Sequence, residues 1–110
     1  MYKYKAELVR VIDGDTIDFK IDLGFFIYVN IRVRLKDYDA PEVRGPEKVD
    51  GAKVRDKAVA ILENTSSIIV ETTKTGKYGR WLGDVLVLNM VSGFYENLVT
   101  LLEEMENEIN

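Results

Sequence analysis

Residues 25–36 read Phe-Phe-Ile-Tyr-Val-Asn-Ile-Arg-Val-Arg-Leu-Lys, and every odd position from 25 to 35 is apolar. The even positions from 30 onward carry polar or cationic side chains, namely Asn30, Arg32, Arg34 and Lys36. Because successive side chains of a strand point to opposite faces, this alternation predicts a strand with one core face and one cationic face. The register places Arg34 on the face away from the core, unless a bulge intervenes.

Two shorter patterns on the N-terminal side predict two more strands. Apolar residues alternate with charged ones from residue 2 to 8, and an apolar run then leads to Asp13-Gly14, which is a strong hairpin turn signal. The alternation resumes at Thr16 and ends at Leu23-Gly24. The first 36 residues therefore read as three consecutive strands in a meander.

The chain beyond residue 36 predicts a long loop followed by a helix. Residues 37–50 contain both prolines and show no sustained periodicity, and compact domains seldom carry so long a loop without a use for it. Val54, Ala58, Ile61 and Leu62 then follow at helical spacing, which predicts a helix over residues 51–63 with one buried stripe. Asp50 is placed as its N-cap.

The last third predicts two strands and a second helix. Residues 67–72 form a short apolar strand, residues 73–77 a turn around Gly76, and residues 78–88 a fifth strand. Leu98, Leu101, Leu102 and Met105 then mark an amphipathic helix over residues 98–109. Five short strands and two helices, one between strands 3 and 4 and one C-terminal, predict an α+β fold built on a small barrel of the oligonucleotide/oligosaccharide-binding (OB) type.

Length and composition limit the chemistry that the chain can perform. With 110 residues, 46% apolar and 31% charged, the sequence predicts a single globular domain over residues 1–110. It contains no Cys and no His, which excludes thiol nucleophiles, disulfides, His-ligated zinc and imidazole acid–base catalysis. Any chemistry must therefore come from carboxylates, Arg, Lys, Tyr or hydroxyl groups.

Charge is distributed unevenly along the chain, whose formal net charge is −4. All 15 Lys and Arg lie at or before Arg80 with 13 of the 19 acids, so residues 1–80 sum to +2 and residues 81–110 to −6. A basic patch for a polyanionic partner is thus confined to the first part. The sequence shows no signal peptide and no apolar run of about 18 residues, which predicts a cytoplasmic chain without membrane contact, or a secreted one if a leader was removed. The apolar stripe of residues 98–109 is a surface through which a dimer could form.

Four short motifs stand apart from the core pattern, and each has an ordinary explanation. Residues 13–16 (Asp-Gly-Asp-Thr) read as a turn, and residues 39–42 (Asp-Ala-Pro-Glu) as a loop entry held extended by proline. Arg34 reads as a solvated charge, and residues 78–80 (Tyr-Gly-Arg) as a hairpin corner. Taken together they supply carboxylates and a carbonyl for a hard divalent cation, a further acid, and two arginines that fit phosphate oxygens. Phosphodiester hydrolysis needs these groups and requires no His.

In this combination the sequence resembles the staphylococcal nuclease (thermonuclease) family of calcium-dependent nucleases, over roughly residues 5 to 105. The family pattern is Asp-Gly-Asp-Thr, then Arg five residues before Asp-(Ala/Thr)-Pro-Glu, then Tyr-Gly-Arg. Any one of these motifs is common, whereas all three at matching separations are specific. The matching pieces are residues 11–16, Arg34, residues 39–42, the helix of residues 51–63 and residues 77–80.

The resemblance implies a calcium site and a fold. Asp15 and Asp39 would ligate Ca²⁺ together with the backbone carbonyl of Ala40, and Asp13 and Thr16 would support this site through water. The family fold is the same barrel with helices. The family hydrolyses phosphodiester bonds of DNA and RNA and leaves 3′-phosphate and 5′-hydroxyl ends.

The resemblance also implies the catalytic residues. Glu42 would be the general base, or would position the attacking water, and Arg34 and Arg80 would clamp the phosphate and stabilise the transition state. Lys77 and Tyr78 would contact the neighbouring substrate phosphate.

Two other functions remain open from the sequence. One is a non-catalytic barrel module that binds nucleic acid or a protein partner, although such modules typically lack one or more of the site residues that are present here. The other is a structural domain whose acidic C-terminal helix binds a partner.

Two features of the sequence depart from the family. Gly76 replaces an acid of the best-known family member, and the charge of −6 on residues 81–110 weakens nonspecific attraction to nucleic acid.

Overall fold

The computed structural model describes residues 2–41, 45, 48–75 and 81–109. Within these ranges the chain forms six strands and two helices. Their bounds are β1 (Tyr2–Asp13), β2 (Thr16–Asp22), β3 (Tyr28–Leu35), α1 (Lys48–Glu63), β4 (Ile68–Thr75), β5 (Trp81–Leu88), β6 (Tyr95–Asn97) and α2 (Leu98–Ile109).

Five of these strands close into a barrel. β1 pairs antiparallel with both β2 and β4, β2 pairs with β3, and β4 pairs with β5. The ring closes through a parallel pairing of β3 with β5, in which Val33 lies opposite Trp81 and Leu35 opposite Gly83. β6 joins the far end of β5. The predicted α+β fold, a five-stranded barrel with one helix between β3 and β4 and one at the C-terminal end, is thus confirmed.

The core lies inside the barrel and under the two helices. The apolar stripe predicted for α1 is confirmed, because Val54, Ala58 and Leu62 are buried. Burial of a side chain as large as Val54 or Leu62 stabilises the fold by about 1.5–3 kcal/mol. The largest fully buried side chains are Ile17, Phe19, Val33, Leu35, Val70, Val85, Leu98 and Leu102.

The prediction for the third strand is wrong at its start. β3 begins at Tyr28, and Phe25 and Ile27, which were assigned to the core face, are exposed. The buried face is complete only at Val33 and Leu35, where β5 pairs with β3. The β2–β3 hairpin therefore extends beyond the barrel wall, where the described part of the chain does not cover its apolar side chains.

Other boundaries also differ from the sequence prediction. α1 begins at Lys48, so Asp50 lies in its first turn and is not its N-cap. β4 continues to Thr75 past a register shift, and β6 was not predicted at all. The first residues predicted for strand five, 78–80, lie outside the described residues. Among the residues that the structure describes, no helix is long and apolar enough to span a membrane.

Candidate functional site

Asp15 lies in the turn between β1 and β2, where its carboxylate is held inside the protein. The residue is only 8% exposed. Its Oδ1 accepts a hydrogen bond of 3.2 Å from the hydroxyl of Thr16, and its Oδ2 accepts one of 3.3 Å from the backbone N–H of Ala40. Buried polar groups are normally satisfied in this way. The two bonds fix the direction in which the carboxylate points.

Gly14 allows this turn to pack closely against α1 and the loop after β3. A Cβ atom at Gly14 would lie 2.4 Å from Cγ1 of Val54 and 3.0 Å from Cβ of Ala40. A contact of 2.4 Å is too short for any larger residue without a shift of the backbone or of α1. The glycine of the Asp-Gly-Asp-Thr motif is therefore required by packing.

Arg34 reaches the buried carboxylate from the neighbouring strand. It lies opposite Thr16 in the β2–β3 ladder, which places its side chain beside Asp15. Nη2 of Arg34 lies 3.6 Å from Oδ2 of Asp15 and also donates a hydrogen bond to Oδ1 of Asp39. One guanidinium nitrogen thus contacts both acids that the sequence predicted to be metal ligands.

Two backbone hydrogen bonds anchor the chain as it leaves β3. The N–H of Leu35 donates to the carbonyl of Asp15 at 2.8 Å, and the N–H of Lys36 donates to the carbonyl of Gly83 at 3.0 Å. The first bond connects the end of β3 to the β1–β2 turn, and the second connects it to β5. The barrel itself therefore determines the position of Arg34.

The loop after β3 then returns Asp39 to Arg34. Asp37 has φ = 59°, a left-handed conformation that Asp tolerates better than most residues. Tyr38 is buried in the core, whereas the Asp39 side chain is 85% exposed. Sequence reasoning gave no role to Asp37 or Tyr38, although an Asp directly after a strand is a signal for such a turn. Together they reverse the chain and leave one carboxylate open to solvent.

The predicted site residues divide into two groups. The structure brings Arg34 into contact with Asp15 and Asp39, and it places Thr16 and Ala40 against Asp15. Asp13 ends β1 and lies opposite Thr16 in the ladder. The remaining predicted residues, Glu42, Lys77, Tyr78 and Arg80, lie outside the described residues.

The donor groups at this site fit a hard divalent cation. Asp15 and Asp39 supply carboxylate oxygens, the ligand type that calcium prefers. Among the described residues no group of three or more His, Cys, Asp or Glu is arranged to hold a metal ion, so the described part of the site offers these two carboxylates. The exposed Asp39 leaves the site accessible to water and to an anionic ligand.

A second ion pair lies next to the site on the same hairpin. Asp18 and Arg32 are opposite each other in the β2–β3 ladder, and Arg32 donates two hydrogen bonds of 2.8 and 3.1 Å to the Asp18 carboxylate. These bonds lower the pKa of Asp18 and raise the pKa of Arg32. The pair is more exposed than the Asp15–Arg34 contact and holds the two strands together at their outer face.

Comparison with known proteins identifies relatives over part of the chain. It is 41% identical over 83 residues to Protein ParB of Escherichia coli and 37% identical over 82 residues to a micrococcal nuclease of Shigella flexneri. These matches cover 76% and 74% of this chain but only 42% of each relative. No protein-family model matches the chain. The similarity to a micrococcal nuclease and the five-stranded barrel both fit the fold that the sequence predicted.

Proposed function

We propose that this chain is a calcium-dependent nuclease of the staphylococcal nuclease family, which hydrolyses phosphodiester bonds of DNA or RNA to 3′-phosphate and 5′-hydroxyl ends. The observation that carries the proposal is the contact of Arg34 with both Asp15 and Asp39. Two acids beside an arginine at an accessible surface supply carboxylates for a cation and a guanidinium for a phosphate, once the cation takes up the carboxylates that Arg34 contacts. The similarity to a protein named micrococcal nuclease supports the same activity.

Each residue has a defined part in this proposal. Asp15, Asp39 and the carbonyl of Ala40 hold calcium, which when bound supplies positive charge beside the phosphate and open positions for water. Asp15 is kept in place by Thr16 and by the Ala40 amide. The guanidinium of Arg34 has five N–H groups, which is more than its two carboxylate contacts use, so it also binds the phosphate that is to be cleaved.

The remaining roles in the proposal belong to Glu42, Lys77, Tyr78 and Arg80, which lie outside the described residues. Glu42 is proposed to accept a proton from the attacking water or to position that water, and Arg80 to bind the phosphate opposite Arg34. Lys77 and Tyr78 are proposed to contact the next phosphate of the strand. These roles are proposed from the motifs of residues 39–42 and 77–80.

Cleavage of denatured DNA and of RNA tests the proposal directly. Reactions contain calcium or a chelator, and the ends of the products are analysed for 3′-phosphate. Asp39→Ala is compared with Asp56→Ala, which removes a similarly exposed aspartate from α1, away from the site. We expect calcium-dependent cleavage by the wild type and by Asp56→Ala, and none by Asp39→Ala.

The second candidate function is a non-catalytic module that binds nucleic acid. It is favoured by the similarity to Protein ParB of Escherichia coli, whose name states no nuclease activity. A folded protein that binds oligonucleotides without cutting them in calcium would support this module and contradict the nuclease. Cleavage that Asp39→Ala leaves intact would place the activity elsewhere.

A further inference from the structure

The tip of the β2–β3 hairpin is an unusual turn. The N–H of Ile27 donates to the carbonyl of Gly24 at 2.9 Å, which closes a four-residue turn around Phe25 and Phe26. Both phenylalanines have positive φ, 55° and 61°, so the turn is of type I′. This turn normally carries Asn-Gly or similar pairs, because bulky residues are strained in the left-handed region.

Packing within the described residues does not offset the backbone strain at Phe25 and Phe26. Phe25 and Phe26 are each 94% exposed. Neither turn propensity nor core packing therefore accounts for two phenylalanines at this position. A pair of rings that is held in a strained conformation and presented to solvent indicates a contact with another molecule.

A line of polar and cationic side chains connects this tip with the candidate site. Tyr28, Asn30, Arg32 and Arg34 alternate along β3 and share its outer face, and the first three are exposed. From the tip towards the site, this face therefore presents an aromatic ring, an amide and two guanidinium groups in that order. From Phe26 to Arg34 the strand spans roughly 26 Å, at about 3.3 Å per residue.

The acids beside this line are already engaged. Asp18 accepts both hydrogen bonds of Arg32, and Asp22 accepts a bond of 2.8 Å from the N–H of Gly24. Lys20 lies with its Nζ 4.5 Å from the ring centroid of Tyr28. Cations beside aromatic rings are what proteins use to bind single-stranded nucleic acid, because bases stack on rings and phosphates follow the charges.

We propose that Phe25 and Phe26 form a stacking platform for the unpaired bases of a single nucleic-acid strand that runs along the outer face of β3 to Arg34. The inference rests on the proposed function, and it adds a binding surface for the substrate strand at the tip of the β2–β3 hairpin. A bilayer surface fits less well, since Asp22 lies directly at the tip and the face of β3 that carries Asn30 and Arg32 is polar.

The test measures binding of fluorescein-labelled dT3 and dT16 by fluorescence anisotropy in a chelator, which prevents calcium-dependent cleavage. At roughly 3.4 Å per nucleotide a trinucleotide spans about 7 Å, too short to connect tip and site even when stretched twofold, whereas dT16 spans about 51 Å. We expect the wild type to bind dT16 much more tightly than dT3, because only the longer strand reaches both.

Three double variants separate the rings from the turn. Phe25→Leu with Phe26→Leu keeps apolar side chains without rings, and we expect its affinity for dT16 to fall at least tenfold. Phe25→Tyr with Phe26→Tyr keeps the rings and should stay within about twofold of the wild type. Phe25→Asn with Phe26→Gly should lose the same affinity while its melting temperature rises, because Asn-Gly suits the turn.

Several outcomes would overturn the platform. One is a variant with Phe25→Leu and Phe26→Leu that binds dT16 as tightly as the wild type, and another is a wild-type affinity that does not depend on oligonucleotide length. A third is a Leu pair that keeps its affinity for dT16 and instead loses binding to lipid vesicles, or loses self-association measured by sedimentation. Calcium-dependent cleavage of dT16 is measured separately on the wild type. If dT16 is cleaved but its binding does not depend on the two rings, the nuclease proposal stands and the platform is contradicted. If binding depends on the rings but dT16 is not cleaved, the platform stands and the nuclease proposal is contradicted.

Discussion

Nη2 of Arg34 lies 3.6 Å from Oδ2 of Asp15, although one residue lies near the end of the third strand and the other in the first turn. The ladder causes this proximity, since Arg34 is paired with Thr16, the neighbour of Asp15. The contact is therefore built by the barrel. A group that is held in position by strands needs little reorganisation when it meets a phosphate.

Replacement of Arg34 by alanine should abolish most of the nuclease activity without unfolding the protein. We expect kcat to fall at least about 10²-fold, as is typical when one preorganised donor to transition-state charge is removed, with a smaller change in KM. Steady-state cleavage of denatured DNA measures both constants, and Arg55→Ala, on α1, is the matched control. An Arg34→Ala enzyme with near wild-type kcat would refute the catalytic role of Arg34.

Calcium should raise the melting temperature of the protein. Asp15 and Asp39 carry like charges close to one Arg34 nitrogen, so a bound cation stabilises the folded state by mass action, by about 2.7 kcal/mol at a hundredfold excess over Kd. Thermal unfolding with calcium and with chelator measures the shift. Asp39→Ala should lose the shift and Asp56→Ala should keep it. A melting temperature of the wild type that is indifferent to millimolar calcium contradicts the site.

Alternation in the sequence was sufficient to predict the part of the site that belongs to the barrel. It placed Arg34 on the outer face of β3, and the turn signal of residues 13–16 placed Asp15 at the end of the first hairpin. The prediction for Arg34 succeeds because Val33 and Leu35 must be buried, which leaves only one side of the strand for Arg34. Where one face is buried, a period of two determines the direction of every side chain.

Where the strand leaves the barrel, the same pattern failed. Phe25 and Ile27 continue the alternation and yet are exposed, because periodicity does not show where the neighbouring strand stops. The position of Asp39 beside Arg34 could not be predicted from the sequence pattern either. It depends on the left-handed backbone of Asp37 and on the burial of Tyr38, and neither residue belongs to an alternating or helical pattern. The resemblance implied a site role for Asp39, whereas its contact with Arg34 could be seen only in the structure.

Stability should fall at acid pH through the pair of Asp18 and Arg32. Hydrogen bonds from Arg32 lower the pKa of Asp18 in the folded protein, so the pair stabilises the fold above the pKa of the unfolded chain. That contribution is lost as the pH drops through the folded pKa. Because Arg32 is about half exposed, we expect only about 0.5 kcal/mol.

A double-mutant cycle isolates this contribution. Urea unfolding of the wild type, Asp18→Asn, Arg32→Gln and the double variant gives the coupling free energy at each pH. The coupling should be present at neutral pH and vanish in acid, below the pKa of folded Asp18. A coupling that is unchanged in acid would show that the two side chains interact through packing rather than charge.

Gly14→Ala should destabilise the fold and disturb the site together. The new methyl group would lie 2.4 Å from Cγ1 of Val54, so the Val54 side chain, α1 or the turn that carries Asp15 must move. Overpacking of this kind costs about 1–3 kcal/mol in the free energy of unfolding. Val54→Ala removes the atom that is approached most closely, so the cost of Gly14→Ala should be smaller in that background. Denaturant unfolding of the four proteins gives the coupling, and strictly additive effects would show that Gly14 does not pack against α1 as the structure has it.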